Sequence, residues 1–111
     1  MRKMIGFICL FVLLVGCENN FGGQAFYDQI KEIESRVEAE DWEDVVVKAE
    51  ELKELYKQDK WKLQLLGDED EYEGLYEAIN KLITAGKGKD EANVRMELSG
   101  IHTRIEDIYS L

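Results

Sequence analysis

The sequence predicts an all-α fold, an antiparallel up-down four-helix bundle, and three observations carry the prediction. Proline is absent from all 111 residues, so no position lacks the N–H that a helix interior needs. Apolar residues return every three or four positions in four separate stretches, the spacing that gathers them on one helix face. No stretch alternates with the period of two expected of a half-buried strand. Four amphipathic helices with short connections favour antiparallel neighbours. The alternative arrangement is a three-helix bundle with a loosely docked first helix that extends a tether.

The first stripe is Phe26, Ile30, Ile33 and Val37, with Glu32 and Arg36 placed to pair at i,i+4. It cannot pass through Glu40 and Asp41, and apolar residues resume out of phase at Trp42, so a turn belongs there. Asp41 is a candidate N-cap, and Glu43 and Asp44 add negative charge where the helix dipole favours it. Asp44 is short for the reciprocal half of a capping box, so a single cap is expected. The second helix carries Trp42, Val45, Ala49, Leu52 and Tyr56; continued unbroken, its stripe reaches Leu63 and Leu66 and ends near Gly67.

The third stripe is Tyr72, Leu75, Ile79 and Leu82 with Ile83 beside it, and Gly86-Lys87-Gly88-Lys89 reads as the loop after it. Asp90 then caps a fourth helix on which Val94, Leu98, Ile101, Ile105 and Ile108 alternate in steps of four and three. Glu91 and Arg95 can pair along its surface.

Ahead of the helices, Arg2 and Lys3 precede an apolar run from Met4 to Val15 that gives way to Glu18, Asn19 and Asn20. A basic head, an apolar stretch and a small residue are the parts of an export signal. The run falls short of the roughly 20 apolar residues that cross a bilayer. Leu14-Val15-Gly16-Cys17 resembles the lipobox of bacterial lipoprotein precursors. The resemblance implies cleavage between Gly16 and Cys17, diacylglycerol on the Cys17 thiol and residence at the extracytoplasmic face of the cell membrane, held by lipid. The alternative is an ordinary secretory signal that happens to end beside a cysteine. The chain then divides into a signal peptide over 1–16, a lipidated tether over 17–24 with a reach of about 15 Å, and a helical domain over 25–111. Cys9 lies in the removed segment, which leaves one cysteine and excludes a disulfide or a cysteine zinc site.

The chain holds 24 acidic and 14 basic residues for a net charge of -10; losing Arg2 and Lys3 leaves 12 basic residues and -12. That balance argues against nucleic acid as a partner and equally against a polybasic lipid-binding patch, since a strongly acidic domain is repelled by anionic headgroups and depends on its covalent lipid to stay nearby.

Asp41-Trp42, a following helix rich in Glu, Leu and Lys, Trp61, the Leu65-Leu66 step and an acidic stretch together resemble a bacterial family known only as a domain of unknown function. The resemblance covers roughly 26–109 and implies a short, membrane-anchored helical protein without an assigned activity. In that family the leucine step is often followed by Asp-His, whereas here Gly67-Asp68-Glu69 follows.

Three features could carry chemistry or binding. Asp68, Glu69, Asp70, Glu71 and Glu73 offer oxygen ligands to a hard cation, with Asp68, Asp70 and Glu73 the candidate ligands. An EF-hand starting at Asp68 would need Gly and Glu where the chain has Glu73 and Ile79. The favoured role of the run is to complement the dipole of the third helix. His102, the single histidine, stands four residues before Glu106 and reads as structural or solvated. Trp61 and Leu65 are candidate partner-binding residues. On a straight second helix they form an outward i,i+4 pair, and an exposed aromatic patch marks a partner site; a bend near Asp59 and Lys60 would bury both, which is the favoured outcome. Trp42, on the core stripe, reads as a packing anchor whose loss costs about 3–5 kcal/mol, and Gly100 as either a close helix approach or a tolerated surface glycine.

The expectation is a non-enzymatic extracytoplasmic lipoprotein without a cofactor, which contacts the membrane through lipid on Cys17 and engages another extracytoplasmic protein. The alternative is a weak divalent-cation or envelope-polymer binder acting through 68–73. An enzyme would need scattered carboxylates to converge in a pocket.

Overall fold

A computed structural model describes residues 23–110. The expected signal peptide over 1–16, the expected cleavage site at Gly16 and Cys17, and most of the expected tether lie outside the described residues. Those described form five helices with no strand among them, so the fold is all-α.

The first turn of α1 (Gln24–Glu38) is preceded by Gly23 at φ 72, a left-handed conformation that glycine adopts without a Cβ penalty. A Cβ there would lie 2.8 Å from the Tyr109 ring, so both backbone freedom and space call for glycine. Phe26, Ile30, Ile33 and Val37 are buried as the spacing predicts. The helix contacts two others, Trp42–Gln58 and Glu91–Tyr109. The predicted Glu32–Arg36 pair gives way to bonds between helices: Arg36 meets Asp44 at 2.6 Å and Lys48 meets Glu32 at 3.3 Å. Once two helices lie side by side, long side chains find partners across the seam as easily as along one helix.

At the end of α1, Glu40 takes φ 56 while its N–H donates to the Val37 carbonyl and that of Asp41 to the Arg36 carbonyl. This is a Schellman closure, in which a left-handed residue turns the chain and satisfies two terminal carbonyls. Asp41 then accepts from the Asp44 N–H at 3.2 Å and caps α2 (Trp42–Gln58). The same device recurs after α4. Lys89 at φ 53 donates to the Gly86 carbonyl, Asp90 donates to the Ala85 carbonyl, and the Asp90 carboxylate accepts from the Asn93 N–H. In each connection one aspartate closes the helix behind it and caps the helix ahead.

Val45, Ala49, Leu52 and Tyr56 form the buried face of α2, but Trp42 is only half-buried at its first turn. Trp42 packs against the core from the rim, as the packing role expected of it requires, but is not enclosed. The helix divides at Asp59 (φ -97, ψ 8), where the favoured bend is expected, and a short α3 (Lys60–Leu66) follows. Leu63 is buried and Leu66 packs against the core.

Asp68 opens α4 (Glu69–Lys87) with a complete capping box, its carboxylate accepting from the Glu71 N–H at 3.1 Å while Glu71 accepts from the Asp68 N–H at 3.4 Å. Leu75, Ala78, Ile79, Leu82 and Ile83 are buried; Tyr72 is half-buried. The loop predicted from Gly86 starts later than expected. Gly86 is helical and buried, because a Cβ there would stand 3.3 Å from Val46 and 3.4 Å from Val45, so glycine admits α2 closely and the helix continues.

Helix α5 (Glu91–Tyr109) buries all five residues of its predicted stripe, and Glu91 holds Arg95 at 3.1 Å. Gly100 faces open space, which settles it as a surface glycine. The helix packs against α4 and α1, α2 packs against α4, and α3 touches α2, α4 and α5. The buried residues between them are apolar throughout, apart from the Tyr56 hydroxyl, which donates to the Tyr72 carbonyl at 3.1 Å.

Candidate functional site

Helix α3 is built from two opposed faces. Successive residues turn by about 100°, so Leu63 stands on the side opposite Trp61 and Leu65. Leu63 is fully buried; Trp61 is 65% and Leu65 76% exposed. The break at Asp59 predicted to bury these two is present, but it redirects the helix so that Leu63 and Leu66 turn inward and the i,i+4 pair stays outside. The favoured packing outcome is thus corrected: the bend and the exposed patch coexist.

Lysines surround the patch. Lys62 lies over the Trp61 ring at 5.7 Å from its centroid, Lys60 is exposed next to it, and Lys57 pairs with Glu54 at 3.5 Å. Between Lys57 and Leu66 the chain has three lysines, a single aspartate and no glutamate, against a strongly acidic remainder. Net charge concealed this local excess, and the Lys-Trp-Lys triplet was the signal in the sequence that could have found it.

The patch sits at a defined end of the molecule. A Cβ on Gly67, just after α3, would approach the Ile108 side chain at 3.0 Å, and the Tyr109 ring lies against Gly23. Burial pushes the Tyr109 hydroxyl up to about 12, with the nearby charges of Asp59 and Tyr27 adding to the effect. Asp59, α3, the end of α5 and the first described residue of the chain thus share one end of the fold.

The acidic run serves the backbone. Asp68 caps α4, Glu71 completes the box, and Glu69, Asp70 and Glu71 occupy the first turn, where negative charge complements the dipole. Asp70 and Glu73 are exposed. Among the described residues no group of three or more His, Cys, Asp or Glu side chains converges to hold a metal ion.

His102 lies on the α5 surface with Nδ1 2.7 Å from a Glu106 oxygen and its ring 5.0 Å from that of Tyr27. Tyr27, His102 and Glu106 line an open groove of about 480 Å³ between α1 and α5. Desolvation and then the Glu106 charge raise the Tyr27 pKa, which keeps the phenol protonated. A neutral phenol and a half-exposed His–Glu pair thus form a network along an open groove, with Lys31 also lining it. A larger, open hollow of about 850 Å³ between α2 and α4 is lined by Glu51, Lys53, Leu55, Asn80 and Ile83 among others.

Two further clusters escaped the sequence reading. Lys48 gains a raised pKa from its hydrogen bond with Glu32 and the charges of Glu51 and Glu32, tying α1 to α2. Tyr56 and Tyr76 stack at 5.1 Å with Lys53 above the Tyr76 ring, and burial foremost raises the Tyr56 pKa. Both depend on which helices become neighbours. No family model, no curated protein and no solved structure matches the chain.

Proposed function

We propose that the protein is a non-enzymatic, lipid-anchored module of the cell envelope, held at the extracytoplasmic face of the membrane through Cys17 and working by contact. Its domain is an antiparallel up-down bundle of α1, α2, α4 and α5, with α3 closing the end at which the tether joins. The contacts of Gly23 with Tyr109 and of Gly67 with Ile108 at one end, and of Gly86 with Val45 and Val46 at the other, support that path.

The observation that carries the contact reading is the exposed Trp61–Leu65 pair on a helix whose opposite face is anchored by Leu63. Large apolar side chains presented together mark a surface that another body covers. The order Leu14-Val15-Gly16-Cys17 behind a short apolar run supports the anchor. No described helix is long and apolar enough to cross a membrane.

Cys17→Ser tests the anchor. The wild type is expected in the membrane fraction after a carbonate wash and the variant in the soluble fraction. A variant that stays with the membrane overturns the lipid attachment.

A further inference from the structure

We infer that the Trp61–Leu65 face of α3 seats in the headgroup region of the same membrane that holds the tether, so that the domain docks on the bilayer instead of swinging free beside it. The inference rests on the proposed lipidation of Cys17 and names what the exposed patch touches.

Position is the first support. Only residues 18–22 separate Cys17 from Gly23, and at about 3.5 Å per residue even a fully extended link spans only about 20 Å. Gly23 lies against Tyr109, whose hydroxyl senses Asp59, the residue at which α3 begins. The patch is therefore at the end of the fold that the anchor draws to the lipid, where a short link keeps the effective concentration of membrane high.

Chemistry is the second support. Tryptophan prefers the membrane–water interface, where its ring meets the acyl boundary and its N–H stays hydrated. Leu65 lies on the same side of the helix and adds apolar area, while lysine stems run along apolar surface and hold their ammonium groups at phosphate level. Lys60 and Lys62, on either side of Trp61, supply that cationic border in a domain otherwise negative enough to be repelled by anionic lipid. The domain's charge thus orients it: the acidic sides face water and the lysine-bordered Trp61–Leu65 face turns to the headgroups.

The test uses the mature lipidated chain with Trp42→Phe, leaving Trp61 as the only tryptophan, on vesicles of phosphatidylcholine with phosphatidylglycerol. Seating is expected to shift Trp61 emission to shorter wavelength, to quench it with phosphatidylcholine brominated on its acyl chains, and to protect it from acrylamide. Lys60→Glu with Lys62→Glu should reverse all three while the protein still floats with the vesicles. Flotation with Trp61 fully open to acrylamide and untouched by bromolipid overturns the seating, leaves the anchor intact and returns the patch to an extracytoplasmic protein. Failure to float overturns the anchor and the seating with it. Should Trp42→Phe lose its helical circular dichroism, a bimane on Leu65→Cys, placed in the chain with both tryptophans, reports the same three quantities with the same two overturning outcomes.

Discussion

Replacing Asp68 by alanine separates the two roles open to the acidic segment, capping and cation binding. The carboxylate accepts from the Glu71 N–H at 3.1 Å, and Glu71 returns a longer bond at 3.4 Å to the Asp68 N–H. Loss of an N-cap acceptor costs about 1 kcal/mol. The lost charge at the positive end of the dipole adds about 0.3–1 kcal/mol. Water replaces part of the longer bond, since both side chains are at the surface, so Asp68→Ala should destabilise by about 1–2 kcal/mol in all. For a domain of this size each kcal/mol moves the melting midpoint by about 4–8 °C. Asp68→Ser keeps the acceptor and loses only the charge, and Asp70→Ala removes a charge that caps nothing; each should cost about 0.3–1 kcal/mol. Thermal melts followed at 222 nm, with and without millimolar calcium, measure all four proteins. Calcium is expected to leave every midpoint in place. If Asp68→Ser falls as far as Asp68→Ala, or Asp70→Ala matches it, the capping account is wrong; a wild-type midpoint that rises with calcium and stays put in Asp68→Ala would instead make the segment a cation site.

The two faces of α3 should respond oppositely: Leu63→Ala, which empties a fully buried position, should cost about 2–5 kcal/mol in urea unfolding, and Trp61→Ala or Leu65→Ala less than about 0.5 kcal/mol. Burial raises the Tyr109 pKa from 10.0 to about 12, so the folded state favours the neutral phenol; that stability is complete below pH 10 and is lost as pH climbs towards 12. The shift corresponds to at most about 2.7 kcal/mol, and solvent screening lowers this to about 1 kcal/mol. Tyr109→Phe should flatten the alkaline loss in pH-dependent unfolding, the more so because the Tyr109 hydroxyl is buried without a hydrogen-bond partner among the described residues. Lys89 occupies a left-handed position at φ 53, so Lys89→Gly should raise stability by about 1 kcal/mol. Gly100→Ala, in open helical space, should add about 0.5–1 kcal/mol in the same melts.

The helices themselves, and most of what they bury, were determined by the sequence alone. A period near 3.6 is a local property of the chain, so the stripes of α1 and α5 are buried residue for residue as their spacing predicts. Aspartate capping is equally local, and Asp41 and Asp90 act where they were placed. The resemblance of Leu14-Val15-Gly16-Cys17 to a lipobox, on which the proposed anchor rests, is a matter of order and spacing alone.

Tertiary structure decided what depends on neighbours. Arg36 chose Asp44 over Glu32 only because α2 lies beside α1, and Gly86 stayed helical because Val45 and Val46 press on it. The exposure of Trp61 could not be read from periodicity, which fixes its angle to Leu63 but not the direction the helix takes after Asp59. That direction is set by Leu63 and Leu66 reaching the core, and it places an aromatic, lysine-bordered face at the same end of an acidic domain as Gly23. Hydrophobic spacing specifies which side of a helix is apolar; only the packed partners determine which apolar residues are left over.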